Sequence, residues 1–195
     1  MGDRAFRIEA GSSERAHRIW AAIRAAAIPG VGEPVVGARS VLVHVDPEGC
    51  DLAELHRVVN APDRLPGPRR RTVPLPVHYD GADLAEVAAA AGMSVEAVIR
   101  RHAAAEYTVA FLGFSPGFGY LVGLDPELQL PRRDTPRAAV PAGSVAIAGE
   151  FTAVYPQQTP GGWHLLGRTD VDVFDPHREP PALLAPGDTV CFTPA

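Results

Sequence analysis

Three groups of side chains in the second half of the chain have the types and spacing that chemistry uses. Arg132 and Arg133 follow Pro131 in a proline-flanked loop. Guanidinium groups suit bidentate binding of a carboxylate or a phosphate; the competing reading is a solvated charge pair. His164 and Arg168 sit on a run that leaves the turn Thr159-Pro160-Gly161-Gly162-Trp163. Strand alternation puts His164, Leu166 and Arg168 on one face and Trp163 and Leu165 on the other. A proton carrier and an anion clamp would then be presented together, unless the face is simply polar and exposed. The third group is Phe114, Phe118 and Tyr120, set among glycines and a proline between Gly113 and Leu124. Aromatics held on such turns make a rigid, apolar pocket rim, or else the core of a tight barrel corner.

Other motifs dissolve on inspection. Gly113-Phe114-Ser115-Pro116-Gly117 matches the G-x-S-x-G nucleophile elbow. An elbow needs the backbone N–H after the serine for its oxyanion hole, and Pro116 has none. His102 falls on the apolar face of a helical stretch and reads as a satisfied core histidine. The remaining histidines show no ligand spacing, so no metal site is expected. Cys50 and Cys191 form neither a metal pair nor a redox C-x-x-C and read as reduced thiols. All 18 basic residues are arginine. With no lysine, the chain alone can form neither a Walker-type phosphate loop nor a Schiff base, and it cannot carry biotin.

The elements that must position these residues follow from periodicity. Residues 5–10 alternate as a strand, and Ser12 or Ser13 caps a helix running to about Ala27. Two short strands flank Gly37, a helix spans Asp51 to Val59, a Pro/Arg-rich loop covers Ala61 to Arg71, and a strand covers Thr72 to Tyr79. Pro74 and Pro76 push that last strand to a sheet edge. The order βαββαβ predicts a ferredoxin-like α+β domain over residues 1–80. A helical connector follows over 81–103, with Asp83 and Glu86 at capping-box spacing and Ser94 as the second cap. From 104 to 195, short β runs alternate with Gly/Pro turns, which predicts an all-β barrel.

Composition bounds the function. The hydrophobic fraction of 46% supports a real core, and a net charge of −5 offers no basic field for nucleic acid or an anionic membrane. No apolar h-region follows Met1, and no apolar run is long enough for a membrane span. A cytoplasmic location is expected.

Several stretches in order carry a family resemblance: His102-x4-Tyr107-x-Val109, GFSPGFGYLVGLDPEL, PRRDTPR, VPAGSVAIAGEFTAVYPQQTPGGWHLLGRT, Val173-Phe174-Asp175-Pro176 and the closing PGDTVCF. Over about residues 98–193 the chain resembles the 5-oxoprolinase B-subunit family, also called KipI-like or allophanate hydrolase subunit 1. The resemblance implies a cyclophilin-like second domain and a larger homologous partner, the KipA-like C subunit. With a third subunit, such complexes open 5-oxo-L-proline to L-glutamate at the expense of ATP, with Mg, bound by the complex. Related chains imply two alternatives: half of a biotin-dependent urea or allophanate-type carboxyltransferase, and a module that inhibits a histidine kinase. On the enzyme reading, His164 and Arg168 are the expected catalytic residues. Phe114, Phe118, Tyr120, Arg132, Arg133, Gly161, Gly162 and Trp163 would bind the substrate.

Overall fold

Ser12 starts the first helix: its hydroxyl accepts from the Arg15 N–H at 3.2 Å, which satisfies one orphan donor of the first turn. The computed structural model describes residues 4–64 and 70–195. They fall into two units that divide between Arg70 and Arg71. The first contains β1 (Ala5–Glu9), α1 (Ser13–Ala26), β2 (Val35–Val36), β3 (Ser40–His44) and α2 (Leu52–Asn60). Its antiparallel sheet has the order β1-β3-β2. Val41 and Val43 of β3 are fully buried, as are Ala16, Ile19 and Ile23 of α1, which packs on that strand. Asp51 caps α2 by accepting from the Glu54 N–H at 2.9 Å. Of the expected loop from Ala61 to Arg71, residues 65–69 lie outside the described residues.

The strand expected to complete a ferredoxin-like sheet goes elsewhere. β4 (Thr72–Val77) belongs to the second unit, where it pairs in parallel with β12 (Thr189–Pro194). Among the described residues the first unit therefore has three sheet strands. Element order alone could not choose between the two sheets. The apolar face of β4 decides: Val73, Leu75 and Val77 alternate into the barrel core, while Pro74 and Pro76 point outward. β4 is the last strand of its sheet, where a missing N–H is tolerated.

The remaining elements of the second unit are α3 (Leu84–Ala90), α4 (Val95–Ala104), β5 (Glu106–Leu112), β6 (Gly119–Val122), β7 (Arg137–Val140), β8 (Ser144–Ala148), β9 (Phe151–Val154), β10 (Thr159–Gly161) and β11 (His164–Arg168). Seven strands form one mixed sheet, β11-β8-β9-β6-β5-β12-β4. It curls into a nearly closed barrel, because the ends of β4 and β11 meet. His78 and Arg168 exchange two backbone hydrogen bonds of 2.8 and 2.9 Å, and Gly81 and Asp83 donate to the carbonyls of Leu166 and Leu165. Gly81 and Gly167 are required at this seam, since a Cβ on either would collide with the opposing backbone. One core, including Leu75, Tyr107, Val109, Leu121, Ile147, Leu166 and Phe192, also takes in α3 and α4 through Val87 and Val98. The opposite face of β8 carries Ala146 and Ala148, which pack in a second cluster with Phe118, Tyr155 and Trp163. The two-stranded antiparallel sheet of β7 and β10 joins that cluster through Val140.

His102 is fully enclosed between these layers. Its Nδ1 lies 2.8 Å from the Tyr79 hydroxyl and its Nε2 lies 3.0 Å from Thr152 Oγ1. Thr152 donates onward to the Ala146 carbonyl, so the imidazole donates from Nε2 and accepts at Nδ1. Phe192 stacks on the ring at 4.7 Å. Burial lowers the His102 pKa to about 3. The residue is a neutral core group, as its helical position predicts.

Candidate functional site

The glycine-rich segment after β5 folds into a tight turn. Gly113 donates to the Phe118 carbonyl at 3.0 Å, and Phe118 donates to that of Ser115, also at 3.0 Å. Phe114 has a φ of +66°, a left-handed conformation that is strained for a bulky residue. Its side chain is 62% exposed, at the mouth of a cavity of about 60 Å³. Ser115 Oγ is buried without a hydrogen-bond partner.

That cavity gathers residues from three distant stretches: Phe114, Phe118 and Tyr120 from the turn and β6, Arg132 from the following loop, and Gly161, Gly162 and Trp163 from the second turn. Pro160 and Tyr155 complete the wall. The aromatic rings meet edge to face, with Phe118 at 5.0 Å from Tyr120, 5.2 Å from Tyr155 and 5.5 Å from Trp163. Gly161 is needed because a Cβ there would strike the Tyr155 hydroxyl. Burial raises the Tyr155 pKa, while the Arg132 charge and the Trp163 amide act in the opposite sense. Sequence reasoning missed Tyr155. It directly follows β9, just before Pro156, and only the approach of Gly161 reveals its place.

Arg132 is the exposed cation of this group. No carboxylate pairs with it among the described residues, whereas both other expected clamps are engaged. Arg133 Nη1 holds Asp83 at 2.8 Å and Glu86 at 2.7 Å. Arg168 lies at the barrel seam with Asp80 at 3.0 Å and Asp170 at 3.2 Å, and it lines neither the aromatic cavity nor the groove beside it.

That groove, about 340 Å³, shares Arg132 and adds Glu86, Arg133, Asp134 and His164. His164 is nearly buried. Its Nε2–H donates to the Pro131 carbonyl at 2.9 Å, and its Nδ1 is enclosed without a hydrogen bond, 3.9 Å from Glu86 Oε1. The expected common face of His164 and Arg168 does not form. A register shift between Leu165 and Gly167 sets His164 opposite Ile147 but Arg168 opposite Ser144, two positions on opposite faces of β8. The extra residue of a β-bulge resets the alternation.

Asp83 is the second residue whose role was hidden. It occupies the N-cap of α3 but makes no side-chain cap bond. Its carboxylate is 2% exposed as a residue. It accepts from Arg133 at 2.8 Å and Arg137 at 2.6 Å on one oxygen, and from the Leu165 N–H at 2.7 Å on the other. Burial pushes its pKa up, but the hydrogen bonds from Arg137 and Leu165 and the charges of Arg137 and Arg133 outweigh that, so it lies below the ordinary carboxylate value. The capping-box spacing with Glu86 thus serves a tertiary purpose.

Among the described residues, no group of three or more His, Cys, Asp or Glu is placed to hold a metal ion, and no helix is long and apolar enough to cross a membrane.

Residues 1–184 match the family described as carboxyltransferase domain, subdomain C and D. The chain is 45% identical over 184 residues to the B subunit of 5-oxoprolinase from Escherichia coli O157:H7, covering 91% of this chain and 84% of that protein. It is similar to the crystal structure of TTHA0988, with 43% identity and a TM-score of 0.87 over 98% of this chain; it spans only 40% of that one. It also resembles Kluyveromyces lactis urea carboxylase, at 21% identity and a TM-score of 0.70, over 99% of this chain and 21% of that one. At that identity the likeness is one of fold.

Proposed function

We propose that this chain, which belongs to the carboxyltransferase-domain family of subdomains C and D and within it to the 5-oxoprolinase B-subunit group, serves as one component of a complex that opens 5-oxo-L-proline to L-glutamate. The observation that carries the reading is Arg132: an unpaired guanidinium held where an aromatic cavity meets an open groove. 5-Oxoproline is a small lactam with one carboxylate. Its carboxylate suits a planar fork of N–H donors, and its ring suits the walls formed by Phe114, Phe118 and Trp163.

The cavity itself is far below the roughly 300–1,000 Å³ of a usual ligand pocket, while the groove beside it is in range at about 340 Å³. On this reading the cavity takes an edge of the ring, the groove takes the rest, and a larger homologous partner closes the exposed side. The second unit is then a cyclophilin-like barrel used as a platform for that partner.

ATP with Mg does not fit this chain alone. It has no lysine, two of the three arginines expected to clamp anions are held by carboxylates, and no acidic cluster stands ready for a cation among the described residues. We assign the nucleotide to the partner chains. His164 then acts as a strut: its one donating nitrogen is engaged by Pro131. The likeness to urea carboxylase lends no residue to the biotin-dependent alternative.

The test is reconstitution. The chain, combined with its larger homologous partner and the third subunit, is expected to release glutamate from 5-oxoproline when ATP is present. A complete set, shown active with control proteins, that left 5-oxoproline untouched would overturn the proposal.

A further inference from the structure

Among the described residues Arg132 makes no ion pair that would fix it, yet both its neighbours are anchored. The Pro131 carbonyl accepts from His164 Nε2–H at 2.9 Å. On the other side, the Arg133 backbone N–H donates to the Gly162 carbonyl at 2.8 Å, and the Arg133 guanidinium donates to Asp83. Asp83 in turn is bound to β11 by two contacts with one residue: its backbone N–H donates to the Leu165 carbonyl at 3.1 Å, and its carboxylate accepts from the Leu165 N–H. Arg137, which opens β7 and lies opposite Gly161 of β10, donates to the carboxylate oxygen that Arg133 also uses.

We infer that Asp83 is a positioning residue: it ties the Arg132 loop to the Gly161–His164 turn, and so sets where the Arg132 guanidinium is presented. The inference rests on the proposed role of Arg132 as an anion clamp. A carboxylate buried with three donors is held in one geometry, because removing the charge would leave two arginines without their common acceptor. Its placement at the start of α3 makes that helix the base of the arrangement. Neither Asp83 nor Arg133 needs to touch the substrate for this; they act through the loop between Pro131 and Arg137.

Two readouts test the inference. The first needs no turnover: phenylglyoxal modification of the intact chain, read residue by residue by peptide mass spectrometry. Arg132 should react quickly, and Arg133 and Arg137 slowly; in Asp83→Asn Arg137, whose ion pair among the described residues is with Asp83, should become reactive, Arg133 less so because Glu86 still holds it, while the fold, checked by circular dichroism, persists. Equal reactivity of all three in the parent chain would overturn the inference. The second uses the reconstituted complex. Arg133→Gln unhooks the loop from Asp83 but leaves the Arg137 and Leu165 bonds. It should raise KM for 5-oxoproline by about tenfold with kcat within about twofold, the pattern of lost ground-state anchoring. In an Arg132→Ala background the same change should add less than about twofold, since coupled residues are not additive.

Independent, multiplying effects of Arg132→Ala and Arg133→Gln on KM would overturn the inference. So would an unchanged KM in Arg133→Gln when Arg132→Ala raises it. If Arg132→Ala itself leaves KM unchanged, the proposed clamp fails, and the modification experiment alone decides whether Asp83 holds the loop.

Discussion

His102 and His164 are both buried histidines of the second unit, and they differ in how completely they are satisfied. Both ring nitrogens of His102 have partners, and the chain of hydrogen bonds runs on through Thr152 to a backbone carbonyl. His164 has one nitrogen on Pro131 and one enclosed without a partner, facing Glu86 across 3.9 Å. A closed network of this kind locks a core. A network left open beside an unpaired arginine has the form of a site awaiting a ligand or a partner chain. The contrast separates residues that hold the barrel together from residues that it displays.

The contrast is most sharply tested by removing the closed member. His102→Ala should cost about 3–4 kcal/mol, because it leaves a cavity under Phe192 and strips the Tyr79 hydroxyl of its partner. Chemical denaturation of the isolated chain would show it; a loss under about 1 kcal/mol would mean the network is not holding the core. At the open site the effect should fall on function. Arg132→Ala should raise KM of the reconstituted complex by tens of fold, about 2 kcal/mol, while stability moves by less than about 0.5 kcal/mol. A stability loss as large as that of His102→Ala would erase the distinction.

Acid should act through His102 as well. Its folded pKa of about 3 lies below the ordinary value of 6.5, so between these values the unfolded chain binds a proton that the folded chain does not. Stability contributed by the neutral ring is present above pH 6.5 and is lost as pH falls, by about 1.4 kcal/mol per pH unit down to about pH 3. Comparing denaturation midpoints at pH 7 and pH 5 for the parent and for His102→Gln isolates this slope, which the variant should lack. The smallest effect is expected at the seam. Arg168 pairs with Asp80 and Asp170 on the exposed surface, so Arg168→Ala should change stability by less than about 0.5 kcal/mol and leave KM unaltered. A large rise in KM would return Arg168 to the site.

Much of the fold was legible. The caps at Ser12 and Ser94, the helix expected from Asp51 and the succession of short strands beyond residue 104 appear where their residue types place them, although Asp51 proves to be the cap of its helix. The short strands β6, β7 and β10 were not separable from their Gly/Pro turns, since three or four residues carry too little alternation. The aromatic and glycine members of the candidate site were legible by type, because flat apolar walls and close turns demand those residues. The partnership of Arg133 with Asp83, spanning 50 residues, was invisible, as was the bulge that parts His164 from Arg168.

By itself, then, the sequence determined which residues could be walls, turns, caps and cations, because those roles depend on covalent geometry and local period. Only the tertiary structure decided which sheet β4 would enter and which arginine would stay free. Both turn on long-range partners: the buried face a strand can fill, and the carboxylates that happen to lie within reach of a guanidinium.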